Sequence, residues 1–198
     1  MSVWLLGAGS FAREVAGMCA DLNVGVSGYV VDVPGPHDPP VYHIEDLVTQ
    51  GQAFFLCAIV SPGRAGLVEK AGIAGMRPAP PLIHPSASLA RTVHLSGGVI
   101  VSRQVAVGSG AGLSFHVIVN RGATVGHDCF LDRFSTVGPG AHLAGGVTIC
   151  KGATVGMGAL VREGVTVGMD AVVGMGSVVL RDVPPGETWW GVPARRMR

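Results

Sequence analysis

The sequence predicts a small parallel-sheet α/β domain followed by a parallel β-helix. Three observations carry this expectation. Across residues 87–182 a six-residue repeat runs without an insertion: stepping by six from Ala87 to Ser177 meets only Ala, Val, Cys or Ser. Two residues after each of these sixteen positions stands an aliphatic, from Leu89 through Val125 and Leu143 to Val179. Ahead of the repeat, the apolar run Val3-Trp4-Leu5-Leu6 leads through Gly7-Ala8-Gly9 into a helical stretch, which is how a βαβ unit begins.

Taken in order, residues 3–6 form the first strand and residues 13–22 the helix, with Gly9 and Ser10 between them. The glycines let a ligand approach the backbone at the helix N-terminus. Residues 26–31 form a second strand ending in Asp32, which follows Gly9 by about the interval at which a dinucleotide fold places its ribose-binding acid. Residues 33–43, rich in Pro and Gly, read as loop, and residues 44–49 as a short helix. Residues 54–60 are continuously apolar and read as a buried third strand. Ser61-Pro62 then opens a helix that includes Arg64 and Glu69. Residues 1–81 thus form a truncated, Rossmann-like domain, too short for a complete dinucleotide fold but able to hold half a nucleotide sugar. Residues 76–81 read as the linker, and Leu82-Ile83-His84-Pro85 enters the first coil.

In each hexad the small residue and the aliphatic are two apart, so both point the same way from a short strand while the residue between them points out. Many hexads place Gly after the aliphatic, as at Gly108, Gly126 and Gly138, where a sharp turn benefits from the missing Cβ. A short strand and a corner at fixed period describe a parallel β-helix. Each buried aliphatic contributes roughly 1.5–3 kcal/mol, so the inward residues are scaffold and function belongs to the corners. After the last hexad, Trp189 and Trp190 are expected to cover the open end of the stack. Stacking on a cofactor's adenine is their alternative use.

Gly supplies 31 of the 198 residues and charged residues only 14%, as suits many tight corners and little helical surface. With 14 basic and 13 acidic residues, no electrostatic footprint points to nucleic acid or an anionic membrane. No apolar run reaches the length of a membrane span. The opening MSVWLLGAGS lacks a basic leader and breaks at glycine, so it reads as a first strand, with the cytoplasm as the expected compartment. Cys19, Cys57, Cys129 and Cys150 are widely spaced, which argues against a disulfide framework or a zinc ribbon. Cys129 holds an inward hexad position and reads as core.

Most of the seven histidines have structural readings. His37 and His43 fall in the loop, His84 at a domain junction, His94 and His142 on outward strand positions, His116 at a corner. His127 differs, because Asp128 follows it directly at a corner after Gly126, and Asn120 precedes it by seven residues. A solvent-facing His beside a carboxylate can be held in one tautomer, which suits a general base. A zinc site of the kind found in trimeric β-helical hydratases wants two histidines five apart. Here the spacings are eleven and fifteen, and no metal is expected.

The runs 119–129 (Val-Asn-Arg-Gly-Ala-Thr-Val-Gly-His-Asp-Cys) and 138–149, with Gly7-Ala8-Gly9, Ile83-His84-Pro85 and the terminal Gly191-Val192-Pro193-Ala194-Arg195, resemble the bacterial hexapeptide-repeat sugar acetyltransferases. That group joins sialic acid O-acetyltransferases with N-acetyltransferases of UDP-4-amino sugars. The resemblance implies a left-handed β-helix of triangular section with three hexads per coil. It also implies a homotrimer with active sites between subunits, acetyl-CoA in the groove, and a nucleotide-linked amino sugar on the amino-terminal domain. In that frame His127 is the general base, Asp128 its partner, and Asn120 orients substrate or base. Gly145 N–H is the oxyanion donor, Thr136, Met157 and Met175 line the acetyl-CoA arm, and Gly9, Ser10, Asp32 and Ser61 surround the nucleotide. Thr136 stands where many relatives carry a second His, and Val60-Ser61-Pro62 replaces a Gly-Asn type turn. O-acetylation of sialic acid or another sugar is the near alternative, and a non-catalytic nucleotide-sugar-binding trimer the distant one.

Overall fold

The computed structural model describes residues 1–32, 41–46, 53–60 and 63–197, in two units that divide after Leu82. The first contains β1 (Ser2–Leu6), α1 (Ser10–Asp21), β2 (Gly25–Val31), β3 (Val41–His43), β4 (Phe54–Cys57), α2 (Arg64–Ile73) and β5 (Arg77–Pro78). Its five strands are all parallel, in the order β3-β2-β1-β4-β5. Leu6, Val30, Phe55 and Leu67 are buried at its centre.

Several sequence expectations need correction here. Helix α1 starts at Ser10, three residues early, because Gly9 is an extended N-cap and Ser10 to Ala12 already form the first turn. Residues 41–43 are a strand, not loop. Tyr42 sets its ring edge-on against Trp4 at 5.1 Å, and a Cβ on Gly28 would lie 2.7 Å from the Trp4 ring, so that glycine makes the room. The supposed linker holds β5, an edge strand whose second residue is Pro78, a place where a missing N–H costs nothing. Strand β4 ends at Cys57 instead of residue 60. Residues 44–46 form a 3₁₀ turn. His37, Ser61, the 61–62 helix opening and residues 47–49 lie outside the described residues.

In the second unit the hexads stack at a separation of eighteen, as in Thr124 on His142 and Val125 on Leu143. They build three parallel faces. The first carries Ile100–Val101, Ile118–Val119 and Thr136–Val137, the second Ala106–Val107, Thr124–Val125 and His142–Leu143. The third carries Gly112–Leu113, Phe130–Leu131 and Thr148–Ile149. The small and aliphatic hexad positions point inward, and from Val99 to Val179 they are buried in one continuous core.

The glycines after the aliphatics have a different purpose from the one expected. Left-handed backbone falls two residues later, at positions such as Gly110 (φ 73°), Gly146 (φ 66°) and Gly164 (φ 69°). Gly108, Gly126 and Gly138 instead lie against the backbone of the next coil, which a Cβ would approach to 2.6–2.7 Å. At the far end Trp189 is buried against the core. Trp190 stays exposed, so one Trp covers the stack and not two.

Candidate active site

Each face ends in a corner, and the corners sort the candidate residues. His127 and Asp128 follow the strand Thr124–Val125, so they stand where the second face turns into the third. His127 Nδ1 lies 2.9 Å from Asp128 Oδ2, and both side chains are well exposed. Asp128 adopts left-handed backbone (φ 55°), one of the few non-glycine residues that tolerates it, and its N–H is tied to the Ser109 carbonyl one coil back.

The pair fits because of glycines one coil to either side. Gly145 is eighteen residues beyond His127, and a Cβ there would stand 2.5 Å from His127 Cε1. Gly110 is eighteen before Asp128, and a Cβ there would press on the Asp128 carboxylate. The imidazole therefore lies against one neighbouring coil and the carboxylate against the other. The His127 carbonyl accepts the Gly146 N–H at 2.8 Å, which locks the corner to the coil above. The Gly145 N–H has no acceptor among the described residues, while its carbonyl takes the Gly164 N–H at 3.0 Å. Gly110 was not among the candidates read from the sequence. Its signal was the period: 128 minus 18 is 110.

Asn120 belongs to the preceding corner, between the first and second faces, where its amide donates to the Val137 carbonyl at 3.4 Å. Met157 and Met175 continue that same corner one coil apart and are both exposed. Within one chain the second face separates this set from His127. Thr136 is buried on the first face, and His142 sits on the second, where it pairs with Thr124 Oγ1 at 2.9 Å. His142 thus does not replace a histidine at position 136. His116 is buried and stacked on Phe134 at 5.3 Å, and His84 Nδ1 accepts the Ser86 N–H. Cys129 is core, its thiol donating to the Ala144 carbonyl at 3.1 Å, and burial pushes the thiol up.

In the first unit, Gly9 faces open space and α1 begins without a side-chain cap or an acidic residue in its first turn. Such an N-terminus favours an anion. Ser10 is exposed beside it. Asp32 directly follows β2, and its carboxylate lies 3.8 Å from Lys70 Nζ. Arg64 is buried and donates to the Ile59 carbonyl at 3.1 Å, holding the turn after β4, and burial lowers its proton affinity. Among the described residues no cluster of three metal-ligating side chains occurs, and no helix is long and apolar enough to cross a membrane.

No family model and no curated protein matches the chain, but solved structures do. A histidine mutant of perosamine N-acetyltransferase from Caulobacter crescentus, in complex with CoA and GDP-perosamine, is 34% identical. The match covers 100% of this chain and 97% of that one, with a TM-score of 0.92. The acetyltransferase domain of PglB from Neisseria gonorrhoeae, in complex with acetyl coenzyme A, is 32% identical over 99% and 98%, with a TM-score of 0.87. WeeI from Acinetobacter baumannii, at 24% identity over the full length of both chains and a TM-score of 0.88, has the same fold.

Proposed function

The chain belongs to the bacterial hexapeptide-repeat sugar acetyltransferases, and from that membership we propose how its residues divide the work. The activity is acetyl-CoA-dependent N-acetylation of a nucleotide-linked amino sugar. The observation that carries the assignment of roles is the exposed pair His127 and Asp128, with Nδ1 2.9 Å from the carboxylate.

With Nδ1–H donated to Asp128, Nε2 is the free acceptor. It takes the proton of the acceptor amine as nitrogen attacks the thioester carbonyl. The C–N bond forms, the C–S bond breaks, and the proton passes on to the departing thiolate. The Gly145 N–H, otherwise without an acceptor, is offered to the oxygen that gains charge. A positioned base contributes roughly 10²–10⁴ in rate.

Asn120, Met157 and Met175 lie one corner away from His127, so a site using both sets draws its second corner from a neighbouring copy. This supports a homotrimer with shared sites, in which those residues and Thr136 flank the acetyl-CoA arm. The β-helix is read as left-handed with the family. The first unit is read as a Rossmann-like holder of the nucleotide: the chain order reverses between β1 and β4, and Gly9, Ser10 and Asp32 gather at the carboxyl ends of the strands, where such sheets bind ligands. Ser61 completes that set in the family pattern. The product is assigned to surface glycan synthesis, in the cytoplasm.

The test is thiol release from acetyl-CoA with GDP-perosamine, a panel of UDP- and dTDP-linked amino sugars, and sialic acid. Release with a nucleotide amino sugar that falls at least 10²-fold in His127→Ala supports the assignment. An intact His127→Ala variant with undiminished kcat refutes the role of His127, and release with sialic acid alone moves the activity to O-acetylation.

A further inference from the structure

The corner that carries His127 is built on a column of peptide units joined from coil to coil. The Gly164 N–H donates to the Gly145 carbonyl at 3.0 Å, the Gly146 N–H to the His127 carbonyl at 2.8 Å, and the Asp128 N–H to the Ser109 carbonyl at 2.9 Å. Each accepting carbonyl belongs to the same planar peptide as the next donor, as the Ser109 carbonyl does with the Gly110 N–H. By this pattern the Gly110 N–H belongs on the Arg91 carbonyl. It goes instead to the side-chain Oγ1 of the exposed Thr92, at 3.0 Å. The column that holds the base and its carboxylate therefore ends on a hydroxyl.

Asp128 is sensitive to that end in two ways. Its N–H is held by the carbonyl of the Ser109–Gly110 peptide, the same unit whose N–H Thr92 accepts. Its carboxylate gives Oδ2 to His127 Nδ1 and turns Oδ1 toward Gly110, where a Cβ would press on it. A tilt of this one peptide plane thus moves the backbone and the carboxylate of Asp128 together. Thr92 is β-branched and stiff at χ1, so its oxygen is a fixed point. The corner between the first and second faces supplies the comparison. Its column runs from Gly158 on Pro139 through Gly140 on Arg121 and Gly122 on Arg103, and ends with the Gln104 N–H on Ser86 Oγ at 3.0 Å. The ending is the same, but His127 and Asp128 stand on the other column.

We propose that Thr92 is a positioning residue for the acyl transfer. Through the Ser109–Gly110 peptide it sets Asp128, and through Asp128 it sets the angle at which His127 meets the acceptor amine. The proposal rests on the acetyl-transfer reading above.

The experiment is steady-state thiol release from acetyl-CoA, with the acceptor of the panel above that supports it. The proteins compared are the parent, Thr92→Val, Thr92→Ser, Ser86→Ala, Asp128→Asn and the double variant Thr92→Val with Asp128→Asn. Thr92→Val keeps the shape and removes the acceptor oxygen. It should lower kcat about 3- to 10-fold, a fraction of what the base itself contributes, and leave KM for acetyl-CoA within about twofold. Thr92→Ser restores the oxygen and should restore kcat. Ser86→Ala removes the matching bond on the other column and should keep the parent kcat. On the Asp128→Asn background Thr92→Val should cost nothing further, because both changes act on one interaction. Parent-like kcat in Thr92→Val overturns the proposal. So does an equal loss in Ser86→Ala, which would mean that the first coil had merely loosened, or a full second loss in the double variant. A parent protein that releases no thiol with any acceptor overturns this inference and the acetyl-transfer reading together.

Discussion

Gly145→Ala is the substitution whose outcome the structure specifies most closely. The added Cβ would stand 2.5 Å from His127 Cε1, and ordinary contact begins at 3.4 Å, so the imidazole must retreat by about 1 Å. Gly145 is not in the left-handed region, and the ring above it is exposed at the end of a flexible side chain. The backbone can therefore accept Ala without strain. Lower entropy of the unfolded chain should even raise stability by about 0.4–1 kcal/mol. The N–H at 145 survives, so any loss of rate acts through His127. A 1 Å displacement of a reacting group costs on the order of 10² in rate, about 2.7 kcal/mol of barrier. Expected is a variant with equal or higher Tm and kcat lowered about 10²-fold. Adding His127→Ala should cost little beyond His127→Ala alone, because both changes remove one interaction. Unchanged kcat in Gly145→Ala would refute the packing of the base on this glycine, and additive losses in the double variant would refute the shared cause. Gly126→Ala is the contrast. Its Cβ would meet the Ala144 carbonyl carbon at 2.6 Å and the Gly145 nitrogen at 2.7 Å, both backbone, so overpacking should cost stability by roughly 1–3 kcal/mol or more.

If sites are shared between copies, His127→Ala and Asn120→Ala chains that are each inactive should complement on co-expression. About a quarter of sites then pair an intact second corner with an intact first corner, and an inactive mixture argues against sharing. Trp189→Ala removes the buried end cover and should lower stability by roughly 3–5 kcal/mol, whereas exposed Trp190→Ala should change it by less than about 0.5; equal effects in denaturant melts would contradict this. Burial pushes Cys19 up to about 11 and raises Cys57, Cys129 and Cys150 as well. At pH 8 the Cys19 thiolate is then about a thousandth of the total, and iodoacetamide should modify the native chain far more slowly than the unfolded one; rapid native labelling of Cys19 by mass spectrometry would count against it.

The β-helix was legible because each hexad repeats one physical demand, a small and an aliphatic inward residue and a corner, sixteen times. The flanking sheet was less so. Strands β3 and β5 are three and two residues long, and Pro78 reads as linker unless the strand is known to lie at an edge. For the site, His127 and Asp128 are adjacent in sequence and were found by adjacency. Asn120, only seven residues away, stands at another corner, because one hexad advances the chain by one face.

On a stack with period eighteen, the room a side chain needs is set by residues that are remote in sequence and adjacent in space. His127 depends on Gly145, Asp128 on Gly110, and the carboxylate of Asp170 on Gly152 in the same way. The three glycines look alike in the sequence, yet Gly145 would carry rate while Gly110 and Gly152, at φ 73° and 70°, also carry the backbone turn. Ala at either of the latter should therefore lower stability through left-handed strain of roughly 1–2 kcal/mol, and only Gly110→Ala should disturb catalysis as well, because Asp170 stands at a different corner from the base. A Gly152→Ala variant that lost rate at unchanged stability would mean that position along the stack, and not the corner, decides which glycines serve the reaction.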